Sequence, residues 1–203
     1  MFAVLKTFVR QTWLVLGLAC GLSAALAAVD AALRDRIADQ ARHRLEQTVL
    51  QVVPGGTTAL AVTVAEQTVY RVEDAAGDLS GWAVVAEGRG FQDRIRVLVG
   101  LSADGRTVTG LTILDSSETP GLGDRIQQPA FRDQFTGQPS DRPFARAGSG
   151  GATASATHPV TGIHAVTGAT ISSLAVINAV NEQLSRIRDD LSRHAISSEK
   201  TSP

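Results

Sequence analysis

"VTGATISS", residues 166–173, is the stretch on which the reading of this 203-residue chain turns. Four of its eight residues carry hydroxyls, Gly168 and Ala169 sit among them, and an apolar-periodic segment follows. Ile171, Leu174, Ile177, Val180, Leu184, Ile187 and Leu191 place an apolar stripe on a helix running from near Thr170 to about Arg193. The octet is therefore where a glycine-containing loop becomes a helix. First-turn amides lack intrahelical partners, and the helix dipole adds partial positive charge, so such a start favours an anion and above all a phosphate. Gly168 permits a close backbone approach or an unusual dihedral, and Ala169 adds little bulk. Thr167, Thr170, Ser172 and Ser173 can donate to phosphate oxygens. The same residues also make an ordinary N-cap, and local chemistry leaves both readings open.

Two nucleophile readings are weaker. No Lys, His or Asp arrangement around Thr170 announces an activated hydroxyl, and the octet lacks the lysine of a GxxxxGK[ST] loop. A second Gly-Ala-Thr, in "GGATASA" at 150–156, has no apolar-periodic helix behind it. The phosphate argument therefore selects Thr170 over Thr153.

Working outward, residues from Thr58 to Asp115 read mostly as strands. "ALAVTVA", "QTVYRVE" and "GWAVVAEGRGF" are short and rich in β-branched residues. In the segment 93–115, Ile95, Val97 and Val99 alternate, Asp104-Gly105 makes a tight turn, and Val108 opens a second strand, which predicts an antiparallel hairpin. "SSETPGLGDRI" (116–126) reads as a loop, and "PAFRDQF" (129–135) as a short helix. Residues 137–157, rich in Gly, Ser and Ala, read as a mobile connection or flap. A sheet with flanking helices gives an α+β domain over 58–193, followed by a disordered tail, 194–203.

At the other end, "WLVLGLACGLSAALAAV" (13–29) carries no charge. Its helix rises about 26 Å, within the range of a membrane span. A cleaved signal peptide is the rival, with Lys6 and Arg10 as a basic n-region and Ala25-Leu26-Ala27 as a small-x-small site. The retained anchor is the more economical reading because 30–57 opens as its helical continuation: Leu33, Ile37, Ala41, Leu45 and Val49 recur every four residues. Residues 1–12 then form a cytoplasmic tail, and the signal-anchor layout points to an exported domain. Charge is nearly balanced, 19 basic against 20 acidic residues, with no basic stripe, which argues against nucleic acid as a partner. The single cysteine, Cys20, lies in the apolar run, and the four histidines lack metal-ligand spacing. No metal site is expected.

"TGATISSLAVINAVN" (167–181), "ETPGLGDRI" (118–126) and the preceding "GRTVTGLTIL" together resemble the FMN-binding domain of RnfG, a component of the Rnf electron-transport complex. NqrC, of the sodium-translocating NADH:quinone reductase, is its relative, and tends to be longer. The pattern covers roughly 80–185, and the layout the whole chain. His164 departs from it, standing where an acidic residue often precedes the motif.

The resemblance implies a single-pass protein of the bacterial inner membrane with its α+β domain on the periplasmic side. It implies FMN held covalently, by a phosphoester on Thr170 that a separate flavin transferase forms. The phosphate would lie among first-turn amides with Thr167, Gly168, Ala169, Ser172 and Ser173. The loop Glu118, Thr119, Pro120, Gly121, Leu122 and Gly123 would lie against the flavin, its glycines letting backbone approach a flat ring. The chain would be a redox subunit of a translocase, not a stand-alone enzyme. Its partners would be the other membrane and redox subunits of an Rnf-type complex coupling ferredoxin and NAD chemistry to ion transport. The competing reading is a flavin-free anchored structural or solute-binding domain in which the octet is only a helix cap.

Overall fold

The computed structural model describes residues 2–64, 67–148 and 160–199. The chain falls into two compact units, residues 1–44 and 45–203. A single helix, α1 (Phe2–Val52), makes up the described part of the first unit and enters the second. Nothing in the sequence interrupts it before Pro54, so the expected tail at 1–12 is helical from Phe2 onward. Val15–Arg34 is long and apolar enough to cross a membrane, with mean hydropathy 1.9 and none of the window buried. This window runs past the uncharged 13–29 stretch to take in Asp30 and Arg34, which pair at 2.6 Å one helical turn apart.

The second unit is built on a five-stranded antiparallel meander in the order β1 (Thr58–Val64), β2 (Gln67–Glu73), β3 (Leu79–Arg89), β4 (Arg94–Ser102) and β5 (Val108–Ser116). Strand alternation decides which side chains face which layer. Trp82, Val84 and Ala86 of β3, with Ile95, Val97, Val99 and Leu101 of β4, point into the larger core. Ala83 and Leu98 point the opposite way, against Val49, Val52 and Val53 at the end of α1. Each such fully buried valine or isoleucine contributes about 1.5–3 kcal/mol. The expected hairpin is β4–β5, turning at Asp104-Gly105 with Gly105 at φ +69°.

The end of α1 reaches the sheet through a gap in its side chains. Gly100 and Gly110 are cross-strand partners. A Cβ at Gly100 would stand 2.2 Å from the Val52 carbonyl oxygen. The Thr109 hydroxyl donates to that same oxygen at 2.6 Å, satisfying a helix-end carbonyl.

The larger core is closed by α3 (Thr170–Glu199) and by a helical segment between them. A 3-10 turn, Gly123–Gln127, leads into α2 (Pro129–Arg132) and a second 3-10 turn, Asp133–Phe135. Phe131 and Phe135 are buried edge to face, ring centroids 5.6 Å apart. Residues 137–148, expected to open a flap, are instead tied into the domain. Gly137 and Gln138 exchange backbone hydrogen bonds with Val108, and β6 (Phe144–Arg146) pairs in parallel with β7 (Thr161–Ile163). The rest of the expected flap, and Thr153 with it, lies outside the described residues. The last helix runs past Arg193 to Glu199 because no helix breaker intervenes before Pro203, so the expected disordered tail begins no earlier than residue 200, outside the described residues.

Candidate functional site

The octet folds as a turn feeding a helix. The Ala169 amide donates to the Val166 carbonyl at 2.9 Å, closing a four-residue turn. Gly168, its third residue, has φ +84°, the positive value that a type II turn requires there. The Ser173 amide and hydroxyl both donate to the Ala169 carbonyl at 2.8 Å, and the Ser173 hydroxyl accepts from the Val166 amide at 3.1 Å. Among the described residues this leaves the amides of Thr170, Ile171 and Ser172 without a backbone partner, the open helix start anticipated from sequence.

The serine hydroxyls, unlike the Ser172 amide, are engaged elsewhere. Ser173 is fully buried in the turn, and the equally buried Ser172 donates its hydroxyl to the Glu118 carboxylate at 2.6 Å. In this structure both hydroxyls bond within the protein, where the sequence reading has them donating to a phosphate. Ile171 is the complementary correction: it is 55% exposed rather than part of the core stripe. Helical phase accounts for Ser173 and Ile171, while Ser172, about 140° from Ile177, is buried by its contact with Glu118. At about 100° per residue, Ser173 lies some 40° from Ile177 on the wheel, and Ile171 about 120° from it.

The loop 118–123 meets the octet at one cavity of ≈ 350 Å³. Glu118, Thr119, Leu122 and Gly123 line it from one side, and Gly168, Ala169, Thr170 and Ser172 from the other. Thr170 is half-buried on its wall. Pro120 and Gly121 are exposed and do not line it, Gly121 serving the turn with φ +76°. Thr167 is exposed, and its carbonyl accepts from Arg125 Nη1 at 3.0 Å. Gly123 does not clear space for a ring: a Cβ there would stand 2.4 Å from Glu118 Oε2, so its missing side chain houses that carboxylate.

Three residues absent from the sequence-based site belong to it. Phe91 and Ile171 line the cavity and are largely exposed, an apolar rim together with Leu122. Arg125 brings a guanidinium to the Thr167–Gly168 turn. Its place in "ETPGLGDRI" was visible, but which way a loop arginine points is not a property of local sequence.

Residues 90–185 match the model of the FMN-binding domain family. They are an FMN-binding domain. The G component of the ion-translocating oxidoreductase complex of Methanosarcina acetivorans is 35% identical over 113 residues, 55% of this chain and 54% of that protein. The C component of the Na+-translocating NADH-quinone reductase of Pasteurella multocida is 34% identical over 114 residues, 55% of this chain and 43% of that protein. The chain thus spans about half the length of the curated relatives it matches. The crystal structure of NqrC from Shewanella oneidensis superposes with a TM-score of 0.53 at 20% identity, covering 75% of this chain and 74% of that one, a likeness of fold.

The FMN-binding domain has side chains suited to that group. Open first-turn amides at Thr170 and the Arg125 guanidinium at the Thr167–Gly168 turn provide donors and positive charge suited to a phosphate. Phe91, Leu122 and Ile171 offer apolar surface of the kind that accepts a flat aromatic ring.

Proposed function

We propose that this chain is an FMN-carrying electron-transfer subunit of an Rnf-type complex, with FMN joined to Thr170 through a phosphoester. The observation that carries this reading is that Thr170 alone of the octet's hydroxyl residues combines a place on the cavity wall with no role in the packing beneath it. Ser172 and Ser173 are consumed by internal bonds, and Thr167 does not line the cavity. In this reading the Thr170 oxygen becomes the bridging oxygen of the ester: on a separate flavin transferase it would displace AMP from FAD, the pyrophosphate bond breaking as the ester bond forms and the hydroxyl proton leaving to a base of the transferase. The amides of Ile171 and Ser172 hold the remaining phosphate oxygens, and Arg125 balances their charge. Bound FMN supplies reversible one- or two-electron acceptance. Phe91, Leu122 and Ile171 would offer it apolar surface, and the tether would keep it from diffusing away between turnovers.

The apolar helix Val15–Arg34 supports anchoring in a membrane. We place the anchor in the bacterial inner membrane and the FMN-binding domain on the periplasmic side. The complex would couple ferredoxin and NAD oxidation–reduction to ion translocation, its other membrane and redox subunits being the partners.

Intact mass and peptide mapping test the tether, on full-length protein exported in a host with an active flavin transferase. A mass increment of FMN minus water on the Thr170 peptide, lost in Thr170→Ala with the fold retained, is the expected result. An unmodified Thr170, with the transferase active on a control protein, makes the octet a helix cap and the domain flavin-free. Deleting the chain from its host should abolish ferredoxin-dependent NAD reduction in membranes. Loss of NADH:quinone activity instead moves it to the quinone-reductase complex.

A further inference from the structure

Glu118 is 6% exposed, and its carboxylate is held at both oxygens. Oε2 accepts the Ser172 hydroxyl at 2.6 Å, and Oε1 accepts the Gln92 backbone amide at 3.1 Å. The slot it fills exists only because two positions lack side chains. A Cβ at Gly90 would stand 2.2 Å from Oε1, and one at Gly123 would stand 2.4 Å from Oε2. Three chain segments therefore meet on one carboxylate: the turn after β3, the loop after β5, and the first turn of α3. Burying a carboxylate is costly unless its lone pairs are satisfied, and two bonds serve only about half of its acceptor sites. A fold needing no more than a link between loops would be served as well by an apolar contact. This carboxylate instead lines the Thr170 cavity and bonds a residue two positions along the same helical turn.

We propose that Glu118 is a positioning residue for flavin attachment: through Ser172 it fixes the first turn of α3, so that the Thr170 hydroxyl is presented to the transferase in a preformed site. The inference rests on Thr170 being the attachment residue. Removing the carboxylate frees the Ser172 hydroxyl to rotate and bond elsewhere, which lets the first turn fray. A displaced nucleophile of this kind reacts on the order of tenfold to a hundredfold more slowly. The defect lies in presentation of the hydroxyl and not in global folding, so it separates from stability.

The test measures the rate of FMN incorporation, by intact mass, into full-length apo-protein at fixed transferase and FAD, with Tm recorded for every variant. Glu118→Ala and Ser172→Ala should each slow incorporation about tenfold or more, and the double variant should be no slower than either single one, because both cut the same link. Glu118→Gln, which can still accept from the Gln92 amide and bond Ser172, should restore most of the rate. Folded Glu118→Ala and Ser172→Ala proteins that load on Thr170 at the wild-type rate overturn the proposal, as does a Glu118→Gln protein as slow as Glu118→Ala. Should Glu118→Ala fail to fold, Ser172→Ala carries the test, since it cuts the link without emptying the slot. Wild-type protein that takes up no FMN on Thr170 is a different failure, of the attachment reading itself.

Discussion

Two pairs of glycines do opposite jobs in this domain. Gly100 and Gly110 face each other across β4 and β5, and the space they leave is filled by backbone, the Val52 carbonyl at the end of α1. Gly90 and Gly123 lie far apart in sequence, and the space they leave is filled by the tip of a side chain, the Glu118 carboxylate. The first pair lets two layers of the fold touch. The second lets three loops share one polar group. Helix and sheet backbones cannot swing aside, whereas a carboxylate can, so the first pair is a requirement of folding and the second a requirement of the site.

The largest effect should follow Gly100→Ala. The new methyl group would meet the Val52 oxygen at 2.2 Å and its carbonyl carbon at 2.8 Å, both backbone atoms, so α1 must lift from the sheet. A loss of about 3 kcal/mol, the upper part of the overpacking range, is expected in thermal or denaturant unfolding of the detergent-solubilised chain. An unchanged Tm would mean that the helix end is not seated there.

Gly123→Ala should be milder, about 1–2 kcal/mol, because its close contacts, Glu118 Oε2 at 2.4 Å and Cβ at 2.8 Å, are with side-chain and not backbone atoms. Its signature is a split: a modest fall in Tm together with FMN incorporation slowed as in Glu118→Ala. A variant that loses stability as Gly100→Ala does would erase the contrast between the pairs.

Thr109→Val removes the hydroxyl bonded to Val52 at 2.6 Å and keeps the side chain's shape. The expected cost is about 1 kcal/mol, with FMN incorporation untouched. Impaired loading would show that the α1 side of the sheet also governs the site.

The smallest effect belongs to the β4–β5 turn. The Ser102 hydroxyl, and then the Arg106 amide, hydrogen-bond the Asp104 carboxylate and hold its pKa below the ordinary 3.8. A depressed carboxylate pKa stabilises the fold above its unfolded value, and that contribution is lost as pH falls through the folded value. Asp104→Asn should therefore lower Tm slightly at neutral pH, and the gap to wild type should close as pH is taken from about 5 to about 2. A gap that widens on acidification would reverse the sign of the linkage.

Much of the fold was legible because it follows from local periodicity. Alternation in 93–115 gave β4 and β5, the Asp104-Gly105 turn gave their connection, and the α+β class followed. The readings that failed depended on something other than period. The stretch 137–148 looked like a flap from its composition, yet its backbone finds partners on β5 and β7 that composition does not encode. The tail after Arg193 was expected to be disordered, yet α3 continues to Glu199, since no proline or glycine intervenes to stop it.

By itself, the sequence determined that a glycine turn at Gly168 opens a helix rich in hydroxyls, that an apolar helix lies near the N-terminus, and that "ETPGLGDRI" is a second conspicuous loop. Each is a property of neighbours along the chain. Only the tertiary structure decided that the Ser172 hydroxyl is taken by Glu118, why Gly123 has no side chain, and where the Glu118 carboxylate goes. Ser172 and Glu118 are 54 residues apart, and Gln92 and Glu118 are 26 apart. Contacts over such separations are made when the sheet and α3 pack, and no local pattern carries them.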